Sequence, residues 1–145
     1  MKHVILTGAL LAVLSGVFSP VFAQEVAKPA ANAALGSVTL TRKVLADGQP
    51  LAAGTYQIRL SSDELKPVVG QSPEGARYVE FLRAGKVVGR EVATVVSNAD
   101  MQTMAKWRKP AMNSTKVETL RGADYLRVWI NRNGNNYLIH LPPAA

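Results

Sequence analysis

The chain of 145 residues has no cysteine, two histidines and only 6% aromatic residues. Without a thiol there is no disulfide, no thiolate metal site and no cysteine nucleophile. A catalytic zinc site takes at least three protein ligands. Only His140 lies beyond the first few residues, so no histidine cluster can form. A serine triad would have to use that same histidine as its base, and no nucleophile-elbow sequence surrounds any serine. Gly85 and Gly89 lie within a hairpin pattern rather than between a strand and a helix, so no phosphate-cradling loop is present. The sequence therefore predicts no cofactor and no metal, and an ordinary hydrophobic core must hold the fold.

A long apolar run occurs once, at the N-terminus. Lys2 and His3 precede an apolar stretch from Val4 to Phe18, broken by Thr7, Gly8, Ser15 and Gly16. It ends in Val21-Phe22-Ala23, a small-residue cleavage pattern, and contains Pro20. Residues 1–23 thus read as a secretory signal peptide rather than a spanning helix, which needs about 20 consecutive apolar residues. The expected mature chain starts at Gln24, has no further membrane span, and is exported to the periplasm or beyond. No cysteine near the cut allows a lipid anchor. Removal leaves 122 residues with 16 basic and 10 acidic side chains, a net charge of +6.

The surplus charge is spread singly: Arg42, Arg59, Arg77, Arg83, Arg90, Arg121, Arg127 and Arg132. Such spacing is that of a solvated sheet face and argues against nucleic acid. Expected partners are an anionic glycan, including lipopolysaccharide phosphates, or another exported protein. The oligomeric state stays open.

Residues 24–36, Ala-rich with one proline, read as a flexible leader. From Ser37 the pattern becomes β, and 37–143 is expected to form a single β domain. Strands are predicted at Ser37–Val44, Thr55–Leu60, Arg77–Arg83, Lys86–Val96, Lys116–Leu120, Tyr125–Ile130 and Tyr137–Leu141. Gly89 marks an expected bulge, and Asn133-Gly134 an expected tight hairpin turn. Met101, Met104 and Ala105 fall at helical spacing, with Asn98 or Asp100 as caps. The fold class is all-β: a small sandwich or barrel of about seven antiparallel strands, with a short helical or loop plug near 99–109. The expected core is Val38, Leu40, Tyr56, Ile58, Leu60, Val79, Phe81, Val92, Leu126, Val128, Ile130 and Ile139.

The stretch Asp47–Leu60, DGQPLAAGTYQIRL, resembles the strand–turn–strand of prealbumin-like β-sandwich modules such as the carboxypeptidase regulatory-like repeats. It covers 14 residues and implies a sandwich fold. The downstream pattern YVEFLRAGKVVGREVATVV and DYLRVWINRNGNNYLIHL looks like small uncharacterised exported proteins of soil bacteria. That likeness implies an address rather than an activity, and neither resemblance carries a catalytic residue.

Two surfaces qualify as binding candidates. The first is Lys106-Trp107-Arg108-Lys109, three cations around an indole, beside Met101, Met104 and Met112. It is either a site for a phosphate, carboxylate or sugar, or a plug whose cations snorkel to solvent. The second is the stripe Tyr125, Arg127 and Trp129, opposite Leu126, Val128 and Ile130. It is an aromatic–cation face if exposed, and core if covered. The leading reading is an exported, non-enzymatic β module that binds an envelope or extracellular partner. A small hydrolase using two carboxylates is the alternative. Glu80 and Glu91 are its most notable pair, expected to face each other or nearly so across a hairpin, in cross-strand charge pairs. A third reading is a structural periplasmic accessory that pairs an edge strand with a partner.

Overall fold

Alternating residues from Leu35 to Leu141 build one curved antiparallel sheet whose inner side chains fill its own interior. The computed structural model describes residues 30–66, 69, 75–104, 109–122 and 124–145. The expected signal segment 1–23 and most of the expected leader lie outside the described residues. The elements in chain order are β1 (Ala34–Leu40), β2 (Val44–Ala46), β3 (Gln49–Leu51), β4 (Gly54–Leu60) and β5 (Ala76–Arg83). They continue with β6 (Lys86–Ser97), α1 (Asn98–Met104), β7 (Ser114–Thr119), β8 (Leu126–Arg132) and β9 (Asn135–Leu141). Seven strands form a sheet in the order β1-β4-β5-β6-β9-β8-β7, and β2 and β3 form a separate two-stranded hairpin. β1 and β7, at opposite ends of that order, come back together, so the sheet is a nearly closed barrel. A single continuous sheet replaces the sandwich half of the expectation.

The interior is packed with side chains. Tyr56, Ile58 and Leu60 of β4, Val79 and Phe81 of β5, and Leu126, Val128 and Ile130 of β8 are buried, as are Tyr137, Ile139 and Leu141 of β9. Tyr56 and Phe81 meet edge-to-face at 6.1 Å. β1 contributes Val38 and Leu40, and also Leu35 at 3% exposure. The ordered sheet therefore begins at Ala34, inside the stretch expected to be a flexible leader, because Leu35 finds a place in the core.

One expected core residue is on the wrong side. Val92 is exposed, and Ala93 takes the inward place. In the β5–β6 hairpin Leu82 faces Val87 but Phe81 faces Gly89, so Val88 is an extra residue. The bulge predicted at Gly89 thus exists, and it inverts every side chain beyond it, because a one-residue slip exchanges the faces of a strand. A Cβ on Gly89 would lie 2.9 Å from Cδ2 of Leu51, which β3 lays against this spot.

The β2–β3 hairpin was not legible as strands. Its turn, Asp47-Gly48, has φ of 47° and 75°, the left-handed pair that two-residue hairpins favour. Val44, Ala46 and Leu51 are buried as the hairpin crosses one barrel end. It is tied there by Leu45 N–H donating to Pro142 O at 2.8 Å and by a bridge between Val44 and Pro143. This hairpin closes that end.

α1 forms where the methionine spacing predicts it, but its cap is Ser97. The Asp100 N–H donates to Ser97 Oγ at 3.0 Å, and the Ser97 hydroxyl donates to Asp100 Oδ2 at 2.7 Å. Ser97 thus caps the helix through its side-chain oxygen, and the Asp100 carboxylate holds the hydroxyl in place. Asn98 is freed for a different bond, described below.

Candidate functional site

The outer faces of β7, β8 and β9 are arranged in rows by strand register. Lys116 pairs with Trp129 and Trp129 with Leu138, while the next row joins Glu118, Arg127 and His140. α1 packs against β6 and β9 beside these rows. Between helix and sheet lies an open depression of about 220 Å³, lined among the described residues by Met101, Met104, Arg127, Trp129 and Leu138. Met101 is buried and Met104 is 62% exposed.

The depth of Trp129 comes from polar bonds as much as from packing. Its indole N–H donates to Asn136 Oδ1 at 2.9 Å. The Asn136 amide donates in turn to Asn98 Oδ1 at 2.7 Å and to Val96 O at 3.4 Å. Asn131 donates to Pro110 O at 3.0 Å, and its own carboxamide oxygen is buried with no partner among the described residues. This chain stitches α1 and the segment after it onto the sheet. Buried polar groups need such partners, since each one left unpaired costs about 1–3 kcal/mol.

The stripe Tyr125, Arg127 and Trp129 therefore divides. Trp129 is 2% exposed and is no platform for a sugar ring. Tyr125 is half-buried. Arg127 lies with its guanidinium carbon 5.5 Å from the Trp129 ring centroid. It also donates to Glu118 Oε2 from Nη2 at 2.6 Å and from Nε at 3.1 Å. Lys116 closes on the other oxygen of Glu118. Lys116, the burial it opposes, and Arg127 together leave the Glu118 carboxyl below its ordinary range. On the neighbouring strand, partial shielding and then the charge of Arg127 hold the His140 imidazole below its usual value. Burial inside the barrel pushes the Tyr137 phenol up.

Lys106, Trp107 and Arg108 lie outside the described residues, and Lys109 is half-buried. Leu138 and the Asn98–Asn136 link were what sequence reasoning missed. Their joining depends on β6 pairing with β9, and no local pattern encodes that.

The carboxylates are engaged elsewhere. Glu80 and Glu91 do not face each other: Glu80 is opposite Arg90, and Glu91 is opposite Val79. The bulge puts them on opposite faces. Glu80 accepts from Arg59 Nε at 2.6 Å and from the Ser61 hydroxyl at 3.2 Å. Glu91 reaches the barrel mouth and accepts the Asp47 N–H at 2.7 Å, which holds the β2–β3 turn. Asp63 pairs with Arg90 at 2.9 Å. Among the described residues no three His, Cys, Asp or Glu side chains gather into a metal site. Comparison of the chain with protein-family models, with curated proteins and with solved structures finds no match.

Proposed function

We propose that this chain is an exported, non-enzymatic β-barrel module that binds another exported protein through the depression between α1 and the β8–β9 face. The observation that carries the reading is the lining itself. Two methionines and Leu138 surround a buried Trp129, with the Arg127 guanidinium at the side. Methionine is flexible and polarizable and suits a surface that must mould to a partner's apolar side chain. A volume of about 220 Å³ is that of one large side chain rather than a lipid or an oligosaccharide. The chain carries 17 basic against 10 acidic residues, which favours an acidic surround for that anchor. An anionic glycan fits less well, because Trp129 offers no exposed ring face.

The test uses the mature chain with Trp107→Phe, so that emission reports Trp129. Peptides with a central Phe or Leu flanked by Asp or Glu are titrated against acidic glycans and lipopolysaccharide. The expected outcome is a Trp129 response to the acidic peptides that weakens with salt. It should fall about tenfold or more in Met104→Asp, which places a charge in the apolar trough. A response to the glycans alone, unchanged by Met104→Asp, would overturn the reading.

A further inference from the structure

The number of strands sets a geometric problem at the place where the barrel closes. Every pairing from β1 through β4, β5, β6, β9 and β8 to β7 is antiparallel. Seven is odd, so β1 and β7 run in the same direction where they meet. Among the described residues no ladder pairs them. At their approach the Thr115 side chain lies over Gly36, with Oγ1 3.7 Å from where a Cβ there would be. Both edges thus present backbone N–H and C=O groups that the sheet does not use, and such edges are templates for another strand.

The inner face of β7 is also incompletely covered. Thr115, Val117 and Thr119 pair with the inward Ile130, Val128 and Leu126 of β8, all three of which are buried. Yet Thr115 and Val117 are only half-buried and Thr119 is exposed, and no residue of β7 is fully buried. At one end of the seam Arg42 reaches from the β1–β2 connection to the backbone oxygen of Asp124, in the β7–β8 connection. Its Nε is buried and has no acceptor among the described residues. Lys43 and Arg121 are exposed at that same end.

We infer that the β1/β7 seam is a strand-acceptor site. Its occupant is an extended segment of a partner protein, running antiparallel to both edges and acidic at its N-terminal end. Such a strand turns seven strands into eight, and an even number closes with every neighbour antiparallel. Its alternate apolar residues cover Val117 and the threonines of β7. Its direction places its first residues beside Arg42, Lys43 and Arg121, where a carboxylate or carbonyl can accept from Arg42 Nε. Insertion must widen the seam by about one strand spacing, roughly 4.8 Å. Side-chain contacts and the Arg42 bond, rather than a backbone ladder, resist that widening. The site rests on strand parity and is independent of the depression beneath α1.

The experiment is hydrogen exchange of the full mature chain, alone and with the peptide acetyl-Asp-Glu-Val-Thr-Val-Thr-Val-amide, read by mass spectrometry. Affinity is measured in parallel by calorimetry. The peptide should slow exchange in both Ala34–Leu40 and Ser114–Thr119 and leave β8 and β9 unchanged. A peptide with proline at alternate positions cannot donate to the edges and should not bind. Replacing Asp-Glu by Lys-Lys should weaken binding about tenfold, equal to about 1.4 kcal/mol, and Arg42→Gln should do the same to the parent peptide. Met104→Asp should leave this binding intact, so failure here and failure of the depression as a site are distinguishable. Absence of protection at β1 and β7, or equal binding of the proline peptide, overturns the inference. So does a dimer in sedimentation whose β1 and β7 amides are protected without peptide, because the occupant would then be a second copy.

Discussion

β7 and β8 are adjacent strands with similar alternation, and they end in opposite environments. All seven β8 residues are half-buried or buried, with Trp129 and Asn131 fully enclosed on the outer side, whereas β7 encloses none. The difference is position. β8 lies between β7 and β9, under α1 and Pro110, so its outward residues meet a second small core. β7 has a partner on one side only. Alternation in a strand states which residues share a face. It does not state how many layers will cover that face, and here the layer over β8 is supplied by a connection more than ten residues away.

Truncation should expose this contrast most strongly at Trp129. Trp129→Ala removes an enclosed indole and strands the Asn136 amide oxygen, so a loss of about 3–5 kcal/mol is expected. Chemical denaturation checks it. A loss below 1 kcal/mol would mean that the outer layer does not exist in solution. For the inner face, Val128→Ala should cost about 1–3 kcal/mol, while its register partner Val117→Ala should cost well under 1 kcal/mol. Equal shifts in the denaturant midpoint would erase the distinction between the two strands.

Gly89→Ala tests the bulge that separates the two halves of β6. The new methyl meets Leu51, so either the β2–β3 hairpin lifts or the strand shifts, at about 1–3 kcal/mol. Faster amide exchange in Val44–Leu51 of this variant would report the first. An unchanged midpoint would show that Leu51 moves aside freely.

The smallest effect belongs to His140. Its folded pKa is lowered from 6.5, so the unfolded chain binds more protons near that pH. This contribution to stability is present above the unfolded value and is lost as pH falls from about 6.5 through the folded value. Replacing the ring with glutamine (His140→Gln) should flatten that slope, measured as the difference in denaturant midpoint between pH 7.5 and 5.5. A steeper slope in the variant would contradict the shielding of the ring by its neighbours. Glu118 adds a separate decline only at lower pH, because its carboxyl is lowered from 4.5 and loses its stabilising charge as pH falls through that lower value.

The seven strands of the main sheet were legible because each is long enough to show alternation, and because Asn133-Gly134 and Ala84-Gly85 mark their turns. β2 and β3 were not. Three residues each is too short for a periodic signal, and the Pro50 in β3 reads as punctuation. Val92 was misplaced because the face change at the bulge, itself expected at Gly89, was not carried through to the residues beyond it. Of the candidate site, Arg127, Trp129 and the methionines of α1 could be singled out by residue type. Their meeting could not, because it depends on β9 lying between β6 and β8.

What the sequence by itself determined is the chemistry available to this protein. No cysteine and a single histidine beyond residue 3 limit it to carboxylates, cations and a few aromatic rings, and residue alternation sets a β fold with most of its core. The tertiary structure decided the rest: a barrel rather than a sandwich, a hairpin across one end, an indole enclosed on an outer face, and a closing seam between two parallel edges. Those outcomes follow from strand order and strand parity. Both are properties of how distant segments pair, and burial of the shared core selects among pairings that local patterns leave equivalent.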